Sequence, residues 1–148
     1  KKKKTSIVAN FTLAVDGTYF IRIENNDGNA VRSTNADLTV SDAPVWTTGA
    51  GSLGTIAGNF SGTVATVAAS GDTIVYSEVT NVLTNNALAN CTLNSSTGAI
   101  TTTDFAGSNT SAATYTFTLR ATDAQNQTAD REFTLTSSFG ATGGGQFN

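Results

Sequence analysis

The chain has 148 residues, of which 39% are hydrophobic and 13% charged, about half the charged share of an ordinary soluble domain. From Thr5 onward the only cations are Arg22, Arg32, Arg120 and Arg131, so four arginines against eleven acids leave the body at −7. That balance excludes a basic stripe for phosphates and argues against nucleic acid as a partner.

Lys1 to Lys4 hold every lysine. The run looks foreign to the rest, as a basic tail or a tag would, and is set aside from the fold. Histidine and methionine are absent, so the usual general base and the commonest transition-metal ligand are both missing. Cys91 is the single cysteine. It has no internal disulfide partner, and a small buried side chain on a strand is the expected role. No apolar run reaches the length of a membrane span, and no signal peptide is visible. The abrupt start without Met leads us to expect a fragment of a longer polypeptide.

Period-two alternation and β-branched residues dominate, broken by Gly, Asn, Asp and Ser clusters. This pattern predicts an all-β chain of short antiparallel strands. Ile7 to Val15 is a strand candidate, followed by the hairpin signal Asp16-Gly17. Thr18 to Glu24 is the next strand, with Tyr19, Ile21 and Ile23 on one face. Asn25 to Asn29 is a turn, and Ala36 to Ser41 a third strand. Three strands in residues 5–43 make a poor free-standing core. This stretch is expected to be the C-terminal part of a preceding sandwich. Pro44, the only proline, suits an extended connector at the boundary.

Residues 44–138 have the length of a complete sandwich. Val45-Trp46 opens it. Gly54 to Ile56, Gly62 to Ala69 and Thr73 to Ser77 are expected strands, with Ser70 to Asp72 turning between the last two. Leu83 to Leu88 is irregular or a short helical turn. Cys91 to Leu93 and Ala99 to Thr101 flank a hairpin turn at Asn94 to Gly98. Asp104 to Ser111 is a loop. Thr114 to Ala121 carries Tyr115, Phe117 and Leu119 on one face. Asp123 to Gln127 turns, and Ala129 to Thr136 closes the domain with Phe133 and Leu135 inward. The glycine-rich tail at 139–148 lies beyond the sandwich.

Residues 44–137 resemble the immunoglobulin-like, cadherin-like repeats of phage and bacterial surface proteins. The blocks that carry the resemblance are Pro44-Val45-Trp46, Gly71 to Ser77, Leu93 to Ile100 and Tyr115 to Asp123. The first segment, from Gly17-Thr18-Tyr19 to Val40-Ser41-Asp42, is more weakly similar to the closing strands of an IPT/TIG-type immunoglobulin domain. The resemblance implies an antiparallel immunoglobulin-like β-sandwich. In it, Trp46 plugs one end, and Tyr115, Phe117 and Leu119 face Phe133 and Leu135 across the core. It also raises calcium, which such repeats bind between domains. Only Asp72 and Asp123 stand where the resemblance would put ligands, and calcium wants six to eight oxygens. No metal and no cofactor is therefore expected.

Nor is an enzyme expected. Asp130 and Glu132 share a face of the last strand beside a balancing arginine, with nothing to suggest a cleft. Gly143 to Gly145 lacks the lysine of a phosphate loop. Sequons at Asn10, Asn59, Asn90, Asn94, Asn109 and Asn126 arise readily by chance in a chain this rich in Asn, Ser and Thr, and Asn90 is a poor acceptor beside strand residues.

The expected function is a non-catalytic structural component of a bacteriophage virion (tail, neck, decoration or fibre), at the virion surface. The alternative is a bacterial cell-surface adhesin or S-layer-type repeat. Expected partners are neighbouring subunits, further copies in a homo-oligomer, and host-surface glycans. Recognition is expected at loop tips, with Asn25, Asn26, Asp27, Asn85, Asn86, Asp104, Ser108 and Asn109 as candidates.

Overall fold

The computed structural model describes residues 8–13, 15–35, 38–107 and 111–138. Among these there are strands, turns and irregular segments, and no helix. The chain divides into two compact units, Lys1–Asp42 and Ala43–Asn148.

The first unit is built from two short ribbons. β1 (Gly17–Tyr19) pairs antiparallel with β4 (Leu38–Val40), and β2 (Arg22–Glu24) with β3 (Ala30–Arg32). Residues 8–13 form no strand, so the expected strand from Ile7 to Val15 is corrected over its described part; residues 7 and 14 lie outside the described residues. Asp16-Gly17 does not make a hairpin either, since β1 finds its partner in β4, distant in sequence. The run from Thr18 to Glu24 is interrupted at Phe20-Ile21, and its halves enter different sheets. The Asn25 to Asn29 turn is present. The Asn25 carboxamide oxygen accepts from the Asp27 and Asn29 amides at 3.1 and 3.0 Å, an arrangement that lets Asn substitute for a backbone turn. It joins β2 to β3, a strand the sequence reading did not separate. No described residue from 8 to 42 is buried.

The second unit is a sandwich. One sheet runs in the order β6 (Gly51–Ile56), β13 (Thr128–Ser137), β12 (Ala113–Thr122), β9 (Val75–Glu78). The other runs β10 (Cys91–Leu93), β11 (Ala99–Thr102), β7 (Gly62–Thr66). A two-residue pair, β5 (Val45–Trp46) with β8 (Ala69–Ser70), ties the entry of the chain to the continuation of β7. The expected strand from Gly62 to Ala69 is therefore broken at Val67-Ala68, and the strand expected from Thr73 begins at Val75.

Alternation sets the core. Tyr115, Phe117, Leu119 and Ala121 are buried from β12, and Phe133 and Leu135 from β13, while Thr114, Thr116 and Thr118 look outward. One expectation about these residues is corrected. Phe117 lies directly opposite Phe133 on the neighbouring strand, and Tyr115 opposite Leu135. They are side-by-side partners on one sheet, not facing residues across the core. The opposite sheet supplies Val64, Cys91 and Ile100. Alternation fixes the face of a strand but not its neighbours, so it could not tell these arrangements apart.

Trp46 closes the apolar interior against Phe133 and Tyr76, with ring centroids 5.4 and 5.7 Å away. Its indole N–H donates to the Ala129 carbonyl at 3.0 Å, which satisfies the one polar atom of a ring whose burial contributes about 2–3 kcal/mol. Beyond Trp46 the chain leaves the β5–β8 pair through Thr47 to Ala50 and joins the four-stranded sheet as β6, parallel to β13. The crossing is held by Arg131, whose guanidinium donates to the Thr48 carbonyl at 2.7 Å and more weakly to that of Trp46 at 3.4 Å. Arg131 starts from the core face of β13, opposite Leu119, and reaches out along the sheet edge.

The hairpin between β10 and β11 is as expected. The Asn94 carboxamide oxygen accepts from the Ser96 and Thr97 amides, both at 3.0 Å. Gly98 turns with φ of 68°. A Cβ there would sit 2.2 Å from the Val67 carbonyl oxygen, so both the backbone and the space require glycine.

Candidate functional site

At one end of the sandwich three loops meet: the turn at Ala57 to Phe60, residues 79–90, and residues 103–107. Each is pinned from below. Leu83, Ala89, Phe105 and Ala106 are buried, and the Phe105 amide donates to the Phe60 carbonyl at 3.0 Å. The Asn90 side-chain amide donates to the Asp104 carbonyl at 2.7 Å, and the Thr102 hydroxyl to the Asn90 carbonyl at 2.8 Å. Asn81, Asn90 and Ala106 hold positive φ values of 56°, 55° and 59°, conformations that persist where the surroundings over-determine them.

The organising group of the longest loop is Glu78, at the end of β9. Its carboxylate accepts the amides of Val82, Leu83 and Thr84 at 2.5, 2.8 and 3.0 Å, and the hydroxyls of Thr80 and Thr84 at 3.0 and 2.8 Å. Burial pushes this carboxyl up, but the donated bonds outweigh it and hold the group below its ordinary value. The sequence reading missed Glu78. The signal available was an acid followed within six residues by two threonines, which does not reveal that the chain curls back around it.

This end gathers Asn85, Asn86 and Asp104 among the candidate loop residues. Asn85 uses its side-chain oxygen to accept the Ala87 amide at 2.9 Å, and Asp104 is half-buried. Asn86, Val79 and Leu88 are among the exposed residues of the 79–90 loop. Ser108 and Asn109 lie outside the described residues. Asn25, Asn26 and Asp27 belong to the first unit and are exposed.

Asp72 and Asp123 come together at the opposite end, where the Ala124 amide donates to the Asp72 carbonyl at 3.0 Å. Asp123 is buried, and its Oδ1 accepts the Gln125 and Gln127 amides at 2.9 and 2.7 Å while its Oδ2 accepts the Gln127 side chain at 3.2 Å. It is the internal cap of the β12–β13 turn. Asp72 accepts the Thr73 hydroxyl at 3.0 Å. Two carboxylates, one fully engaged, fall short of the oxygens calcium takes. Among the described residues no cluster of three or more potential metal ligands occurs.

Groups that could react are held apart. Cys91 is buried, its thiol pushed up to about 12 by burial and by the negative charge of Glu78. A thiol in that state is a poor nucleophile. Asp130 is paired with Arg120, its cross-strand neighbour, through two bonds of 2.7 and 2.8 Å. The balancing arginine is thus Arg120, and Arg131, between the two acids in sequence, points the other way. Among the described residues no helix is long and apolar enough to cross a membrane.

No protein-family model and no curated protein matches the chain. Solved structures do. A protocadherin gamma B7 structure of domains EC3–6, a cis-dimer, is 18% identical, with a TM-score of 0.54 over 74% of this chain and 29% of that one. A protocadherin gamma B3 structure of EC1–4 is 19% identical, with a TM-score of 0.54 over 84% and 40%. The protocadherin gamma B4 extracellular domain is 18% identical, with a TM-score of 0.53 over 72% and 18%. The chain spans less than half the length of each. At these identities the likeness is one of fold: an immunoglobulin-type β-sandwich of the kind found in cadherin extracellular domains.

Proposed function

We propose that the chain is a non-catalytic, surface-displayed structural module of a bacteriophage virion protein, in a tail, neck, decoration or fibre component. The observation that carries the non-catalytic, display reading is the Glu78 end of the sandwich. Its loops are tied to the core by buried side chains and by a carboxylate with five donors, and they present Val79, Asn86 and Leu88 to solvent. Rigid presentation with few charges suits contacts to neighbouring subunits or to glycans. The resemblance of residues 44–137 to repeats of phage surface proteins supports the virion setting. Residues 5–43 are, in this reading, closing strands of a sandwich that other strands complete.

A second reading, a bacterial cell-surface adhesin or S-layer-type repeat, is favoured by the extracellular nature of the solved relatives. Antibody raised against the chain tests both. Gold labelling on intact phage particles is the expected result. Labelling of intact bacterial cells, with none on particles, moves the chain to the second reading, and labelling only after lysis of both refutes surface display.

A further inference from the structure

The outer edge of β2 is self-complementary. In the β2–β3 ladder the Ser33 amide donates to the Ile21 carbonyl at 2.8 Å and the Asn25 amide to the Asn29 carbonyl at 2.9 Å. Bonded positions in an antiparallel pair alternate, so Ile21, Ile23 and Asn25 aim their backbone groups at β3. Arg22 and Glu24 aim theirs away from it. Among the described residues β2 pairs with β3 alone, which leaves those outward groups as a template for another strand.

We infer that a second copy of this chain pairs antiparallel along that edge, about a two-fold axis through Ile23. Such an axis sets Arg22 of each copy directly opposite Glu24 of the other, and these are the two residues whose amides and carbonyls face outward. Register, hydrogen-bonding parity and charge therefore agree in one arrangement. Within one chain the same two side chains already attract each other at 2.5 Å, so the pairing only has to redirect them. The other ribbon edge does not have this property. A two-fold through Val31 of β3 would set Arg32 against Ala30, and Arg32 already lies over the Phe20 ring at 4.2 Å.

The faces agree as well. Ile23 and Val31 are cross-strand neighbours and are 53% and 75% exposed, a costly display for a lone ribbon. Two copies joined at β2 form a four-stranded sheet in the order β3, β2, β2 and β3, with these four side chains on one face. Ile23 also lines an open cavity of about 540 Å³ with Ala9, Phe11, Ile21, Arg22 and Glu24. A closed two-fold interface of this kind is the commonest route to a homodimer. The inference rests on the reading of the chain as a subunit of an assembly.

Charge swaps in the full chain test it, with mass measured by sedimentation across a concentration series. The wild type is expected to dimerise. Arg22→Glu and Glu24→Arg should each weaken the dimer at least tenfold, because each puts like charges opposite one another. An equimolar mixture of the two single variants should form a heterodimer, and the double variant should recover a homodimer. Unchanged Trp46 emission shows that the second unit stays folded throughout. A wild type that remains monomeric overturns the pairing, as does a dimer indifferent to both swaps. A dimer lost in each single variant but not restored by mixing also refutes it. A strand from elsewhere in the same polypeptide occupying this edge would give the first of those results. Antibody labelling of particles does not depend on the swaps, so the surface reading stands or falls separately.

Discussion

β2 and β12 are both alternating strands, and the sequence treats them alike. Arg22-Ile23-Glu24 and Thr116-Phe117-Thr118 each place one apolar side chain between two polar ones. Phe117 is fully buried, whereas Ile23 is more than half exposed. The difference lies in what the second layer supplies. Phe117 belongs to a buried cluster to which an opposing sheet adds Val64, Cys91 and Ile100, whereas among the described residues β2 pairs with β3 alone. Alternation makes a face, and a face stabilises a fold only when something covers it.

The comparison can be broken first in the core. Phe117→Ala should cost about 3–5 kcal/mol, read as a drop in the urea midpoint followed by Trp46 fluorescence. Ile23→Ala under the same probe should leave that midpoint unchanged. A matching loss from Ile23→Ala would mean that the two units share one cooperative transition.

Next comes Gly98→Ala. The added Cβ meets the Val67 carbonyl in a backbone conformation that alanine resists, so a loss of about 2 kcal/mol or more is expected from calorimetry.

A smaller effect is expected at Glu78. Glu78→Gln keeps the shape but weakens the bonds that the Val82, Leu83 and Thr84 amides donate, and should cost about 1–2 kcal/mol. The folded carboxyl is held below its ordinary value. Its contribution is therefore complete above the ordinary glutamate value, and is lost as pH falls through the folded one. Urea midpoints of wild type and variant should converge over that acid window; a constant gap would contradict the assignment.

The smallest effect is at Asp130→Asn. Arg120 holds the Asp130 carboxyl down by hydrogen bonding and charge, but the pair is largely exposed. Removing it should move the melting temperature barely beyond replicate scatter, and not at all in high salt.

Much of the second unit was legible because its signals are local. Asn94 to Gly98 announces a hairpin through residues that bond their own backbone, and Tyr115-x-Phe117-x-Leu119 announces a buried face. The same logic over-extended the first unit, where Ile7 to Val15 alternates but its described residues form no strand. The long-range features were not legible. Nothing in Gly49-Ala50-Gly51 says that the chain joins a new sheet there, because the crossing is held by Arg131, 83 residues beyond the Thr48 whose carbonyl it binds. The Glu78 loop was hidden for a related reason: a carboxylate that collects backbone amides has no preferred sequence for its donors. The resemblance made Asp123 a calcium candidate; the turn from Asp123 to Gln127 was legible, but not that the Asp123 carboxylate caps it by accepting the Gln125 and Gln127 amides.

The parallel pairing of β6 with β13 joins the first long strand of the sandwich to the last. Tension applied through the two ends of residues 44–138 would pull these strands in opposite directions along their length, so their hydrogen bonds would be sheared together, not peeled one by one. A module built this way should behave as a mechanical clamp. Single-molecule stretching from those ends should give a higher rupture force than stretching across β10 and β11, whose antiparallel ladder can unzip; equal forces would show that the clamp carries no load.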